Sequence, residues 1–127
     1  MTTPDFHIAV DTSAEYPIIL VRGELDHLSI ERFERAAQEA AEWDRGVVIL
    51  SLLGATYFDS LTVHAIMAYR VRLDANRQRL VLVVGHRGTP RRILEIVGVT
   101  ARVPTFTTVE EALAAAPALS LRSPANE

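Results

Sequence analysis

The chain lacks both cysteine and lysine in its 127 residues. The first absence removes a disulfide framework, a thiol nucleophile, an iron–sulfur cluster and every cysteine-based zinc site. The second removes a lysine Schiff base and the lysine of a phosphate-cradling P-loop, since all thirteen basic residues are arginine. No apolar run approaches the roughly 18 residues that a membrane helix needs. Met1 to Asp5 has neither the basic nor the apolar region of a secretory signal, so no membrane partner and a cytoplasmic location are expected. Excess positive charge is missing too. Thirteen basic residues against sixteen acidic ones leave a net charge of −3, the wrong sign for a dedicated nucleic-acid binder.

What is present is a core. With 49% hydrophobic and 23% charged residues, the chain falls among compact soluble domains, and this length buries roughly two thirds of the unfolded surface without needing a metal or disulfides. A single domain over residues 1–116 is expected, with 117–127 as a disordered tail lacking periodicity.

Phe6 to Asp11 alternates and Tyr16 to Arg22 is almost unbroken apolar sequence, with Thr12, Ser13 and Ala14 as turn material, which predicts an N-terminal hairpin. Ser29 stands where an N-cap belongs, ahead of Ile30, Phe33, Ala37, Ala40 and Ala41 at helical spacing, and this helix ends about Asp44. Val47 to Leu52, without alternation, predicts a strand covered on both faces. Gly54 to Phe58 reads as a loop. Asp59 or Ser60 then caps a helix to about Asn76, with Val63, Ile66, Met67 and Val71 or Leu73 facing inward. Arg79 to Val84 predicts another buried strand. Thr89 is a natural N-cap with Pro90 following, and Gly98 ends that helix. Val103 to Phe106 predicts a last strand, and Thr107 with Glu110 a capping box for a helix that Pro117 closes. The order describes an α/β fold, a mixed sheet in which a hairpin strand precedes β–α alternation.

Chemistry-bearing residues are few. His7, His27, His64 and His86 fall on four different predicted elements without paired spacing, so neither a metal nor a cofactor is expected. Ser60 and His64 share a helix face at four-residue spacing, which would suit a hydrolytic relay with Asp26 or Asp59. No nucleophile-elbow pattern surrounds the serine, and capping explains it more economically. Gly85 to Thr89 places two glycines ahead of a helix start near several arginines, so Arg87, Gly88 and Thr89 are candidates for phosphate or nucleotide contact. A plain capped turn explains the same residues. The most informative stretch is Thr56 to Val63, where an apolar run delivers an acid and a hydroxyl to a helix start whose N–H groups are unsatisfied.

At these residues the chain resembles the STAS domain of bacterial anti-sigma factor antagonists. The resemblance rests on Arg22-Gly23-Glu24-Leu25-Asp26, on Val47 to Val63 with its helix start, and on Ile93 to Val99 followed by Thr107 to Leu113, in the family's order over about Phe6 to Ala116. It implies a mixed sheet with helices packed on it, no catalytic activity, and association with a kinase-fold anti-sigma factor, whose occupation frees a sigma factor. It also implies that Asp26, His27, Asp59, Ser60, Leu61 and Thr62 form the partner-binding surface. In the family a hydroxyl at this helix start accepts phosphate and ends the association. Here Leu61 falls at the usual phosphoacceptor position and Thr62 at the usual glycine. Either Ser60 or Thr62 substitutes, pointing the hydroxyl about 100° around the helix, or the switch is lost and binding is constitutive, the reading preferred here. The alternative function is a ligand-sensing STAS module reading a nucleotide or other small molecule, and a homodimer stays open.

Overall fold

The computed structural model describes residues 6–122, and in them the apolar runs become nine elements. These are β1 (Phe6–Asp11), β2 (Ile18–Leu25), α1 (Ile30–Glu42), β3 (Val47–Phe58), α2 (Ser60–Ala75), β4 (Arg79–Val83), α3 (Thr89–Ile96), β5 (Thr105–Phe106) and α4 (Val109–Leu119). The sheet order is β1-β2-β3-β4-β5. β1 lies antiparallel to β2, as a hairpin requires, and the remaining pairs are parallel. Each parallel neighbour is reached through one helix, and crossovers of one hand carry those helices to the same face.

Strand alternation sorts the core accordingly. Val48, Leu50 and Leu52 of β3 point with Ile19, Val21 and Leu82 toward α1, α2 and Leu94 of α3. Val47, Ile49, Val81 and Val83 point the other way, against Ala112 and Ala116 of α4. The central strands are therefore covered on both faces, which is why their sequences show no polar alternation. Beneath α1 and α2, Tyr69 meets Phe33 edge to face at 6.1 Å and donates its hydroxyl to the Ala37 carbonyl at 2.6 Å. Burial drives the phenol's pKa well above its ordinary value, the Arg72 charge opposing this only in part.

Several local expectations are corrected. β2 begins and ends later than the apolar run, at Ile18 and Leu25. The expected loop Gly54 to Phe58 is strand, because Arg22 to Leu25 extends far enough to pair with it, with register shifts after Leu20 and Gly23. Ser29 makes no side-chain cap, since its backbone is already helical rather than extended (φ −99°, ψ −6°) and its hydroxyl turns back to Asp26. Gly88, at φ 101°, takes the cap position of α3, so Thr89 is its first residue. The capping box of α4 is Thr108 with Glu111, not Thr107 with Glu110: both pairs have the right spacing, and the extended backbone at Thr108 decides between them. Of the two inward candidates on α2, Leu73 is buried and Val71 exposed.

The helix expected to stop at Pro117 runs to Leu119. Beyond it the Arg122 guanidinium donates to the Asn76 carbonyl at 2.9 Å and pairs with Asp44. It thereby gathers the C-terminal ends of α1 and α2. Residues 117–122 are thus packed against the fold rather than forming a tail, and residues 123–127 lie outside the described residues. Among the described residues no helix is long and apolar enough to cross a membrane.

Candidate functional site

α2 begins where it does because Asp59 leaves β3 in an extended conformation (φ −92°, ψ 179°), letting its carboxylate fold over the first turn. Oδ1 accepts the Thr62 N–H and the Thr62 hydroxyl, each at 2.9 Å. The same hydroxyl lies 3.1 Å from the Leu25 carbonyl, so its single proton is shared between two acceptors. The Asp59 N–H donates to that carbonyl as well, at 3.2 Å. The ends of β2 and β3 are thereby fastened together at the carboxyl edge of the sheet, where open α/β sheets present their binding surfaces.

Directly beside this anchor, Asp26 to Ser29 forms a tight turn. The Leu28 N–H donates to Asp26 Oδ1 at 2.9 Å, the Asp26 N–H to the Ser29 hydroxyl at 2.9 Å, and the Ser29 N–H to the Asp26 carbonyl at 3.0 Å. His27 in this turn faces Asp59. Partial desolvation pushes the Asp59 carboxyl upward, but hydrogen bonds from Thr62 and the His27 backbone, with the charge of a protonated His27, outweigh it and hold the group below the ordinary carboxylate value. At neutral pH Asp59 is an anion consumed by capping.

The expected surface residues therefore come together, with different exposures. Asp26, His27, Asp59, Ser60 and Leu61 reach solvent, whereas Thr62 is 1% exposed. Of the two candidate phosphoacceptors, only Ser60 presents an accessible hydroxyl; that of Thr62 is sealed between Asp59 and Leu25. Leu61 is 53% exposed, and Leu28 on the neighbouring turn 69%. Tyr57, 45% exposed, adds an aromatic ring at the end of β3. Leu28 and Tyr57 were missed from the sequence. The signal for Tyr57 would have been strand pairing through Phe58, which the Gly54 to Phe58 stretch does not announce.

Other candidates stand apart. No hydrogen bond joins Ser60 to His64, and the Asp59 carboxylate of such a relay is occupied by Thr62. Arg87 and Gly88, on the turn after β4, and Thr89, at the start of α3, are exposed, while the nearby Arg91 guanidinium is directed to Glu95 at 3.3 Å and the Val84 carbonyl at 3.5 Å. Among the described residues no group of three His, Asp or Glu side chains could hold a metal ion.

Comparison with known proteins bears on what such a surface does. The STAS domain family model matches residues 7–112. No curated protein matches the chain. Among solved structures the chain is similar to an anti-sigma factor antagonist from Mycobacterium paratuberculosis, with a TM-score of 0.80 and 19% identity over 92% of this chain and 99% of that one. It is also similar to a putative anti-sigma factor antagonist from Thermotoga maritima (TM-score 0.72, 14% identity, 87% and 94% covered). A third likeness is to the phosphorylated Bacillus cell fate determinant SpoIIAA (TM-score 0.65, 22% identity, 85% and 97% covered). At these identities the likeness is one of fold.

Proposed function

The chain belongs to the STAS domain family, and from that membership we propose that it is an anti-sigma factor antagonist acting in the cytoplasm. It docks on a kinase-fold anti-sigma factor through the start of α2 and the Asp26 turn, and so frees a sigma factor. The work is done by association, not by turnover. The observation that carries this reading is Leu61: an aliphatic side chain 53% exposed at the second position of a capped helix, with Leu28 exposed on the Asp26 turn and Tyr57 at the end of β3. Exposed apolar groups gathered at one sheet edge are what a desolvated protein contact needs.

The reading includes loss of the phosphorylation switch. A phosphoryl group at this helix start would place about −1.5 to −2 charge in a packed interface, where desolvation and any facing acid oppose binding. Leucine offers no oxygen for it. Thr62 is sealed, and the remaining hydroxyl, Ser60, sits one residue from the contact. Binding is then constitutive.

The test mixes the purified chain with kinase-fold anti-sigma factors and follows the complex by gel filtration and calorimetry. Leu61→Glu keeps the fold, because the side chain is exposed, and weakens the complex about tenfold or more. A complex unchanged by that substitution overturns the docking surface. Intact mass after incubation with ATP and the same partner is expected to stay unmodified; an added phosphate mapped to Ser60 overturns the lost switch alone.

A further inference from the structure

Between α2 and α3 runs a groove of about 510 Å³. Val63, Met67, Ile93, Val97 and Val99 make it apolar, and Ser60 stands at the end nearest Leu61. α3 is a poor cover for its own side of the molecule. Only Leu94 is buried, and the helix closes on Ile96 and Val97 at 76% and 53% exposure. Eight residues of helix span about 12 Å, so the channel beside it has room for two turns of a second helix.

One of its charged groups, the Arg102 guanidinium, is left without a partner among the described residues. His64 and Arg102 both line the groove, and neither side chain makes a hydrogen bond or ion pair with another described residue. The carboxylate in the same lining, Asp59, is taken by the cap of α2. Arg91 on the adjoining helix shows what a settled arginine looks like here, paired with Glu95. In a chain of net charge −3, an apolar slot edged by an unpaired guanidinium offers a free place for a carboxylate.

We propose that this groove receives an acidic amphipathic helix of the same anti-sigma factor, with its apolar side chains between α2 and α3 and a carboxylate against Arg102 and His64. The inference rests on the docking reading above and extends it: a molecule covering Leu61 already touches Ser60, where the groove begins. A slot between two helices with anchors at several turns suits a helix laid along it. The Arg102 charge selects the partner's sign.

The experiment uses the full chain, methyl-labelled at Ile, Leu, Val and Met, titrated with the anti-sigma factor, alongside Val97→Glu and Arg102→Glu, both at exposed positions. Met67, Ile93 and Val97 methyls are expected to shift together with Leu61. Val97→Glu weakens the complex about tenfold or more, and Arg102→Glu weakens it several-fold, more so at low salt. If Leu61→Glu weakens the complex while the groove methyls stay silent and both groove variants bind normally, this inference is overturned and the docking surface stands. If the groove variants weaken binding and Leu61→Glu does not, the groove stands and the Leu61 surface falls. Absence of any complex overturns both. A control titration with dodecanoate alone that shifts the groove methyls in place of the anti-sigma factor assigns the slot to a small amphiphile, which also overturns the proposal.

Discussion

Replacing Asp59 with alanine tests how far the site is pre-organised by its cap. The substitution removes the acceptor of the Thr62 N–H at 2.9 Å, a loss of about 0.5–2 kcal/mol for helix N-caps in general. It also removes an anion at the positive end of α2, a contribution of about 0.3–1 kcal/mol that overlaps the first. Two features limit the damage. The Thr62 hydroxyl keeps the Leu25 carbonyl as acceptor, and the bond from the residue 59 N–H to that carbonyl belongs to the backbone and survives. The expected cost is therefore about 1–2 kcal/mol, which for a chain of this length lowers Tm by about 4–7 °C. Asp59→Asn keeps an acceptor and loses only the charge, so it should fall between the two.

The pH dependence follows from the depressed carboxyl. A group whose folded pKa lies below its unfolded value contributes stability that is present above the unfolded pKa, near 3.8, and is lost as pH falls through the folded one. Urea unfolding followed by circular dichroism should show a gap between wild type and Asp59→Asn at pH 7 that closes in acid. An alanine variant within about 0.3 kcal/mol of wild type, against the usual cap cost, or a wild-type to asparagine gap unchanged in acid, would refute the assignment of Asp59 as the anchor of the site.

Gly23 is buried and holds φ 99° where β2 shifts register against β3, so Gly23→Ala should cost about 1–3 kcal/mol, measured by chemical denaturation, and a neutral result would mean the backbone relaxes there. Tyr69→Phe removes the hydroxyl bonded to Ala37 and should cost about 0.5–1.5 kcal/mol at pH 7. Because burial raises the Tyr69 pKa, its stabilisation is complete below the unfolded value near 10 and declines as pH rises. Wild type should therefore lose more stability than Tyr69→Phe on alkaline titration, and parallel profiles would contradict the buried, neutral phenol.

The capping residue of α2 and the run of buried strands were readable because each depends on neighbours in sequence. An acid before an apolar helix face, or branched residues without alternation, constrains the chain whatever surrounds it. The errors share a cause as well. Gly54 to Phe58 looks like a loop until Arg22 to Leu25 lies beside it as a pairing partner. The choice between Thr107 and Thr108 as cap, or between Val71 and Leu73 as core, turns on a rotation of one or two residues that pattern alone leaves nearly degenerate. Pro117 reads as a stop, yet the chain continues helical to Leu119.

Local pattern alone thus determined the α/β order and the helix start at Asp59 and Ser60. Tertiary structure decided which of three consecutive residues reach solvent. Ser60, Leu61 and Thr62 differ little in spacing, but the rotation of about 100° per residue turns Thr62 onto the Leu25 carbonyl and leaves Leu61 in solvent. The groove beside them was decided in the same way. Met67 and Val97 are thirty residues apart in the chain and come to line one channel only because β4 returns α3 to the flank of α2.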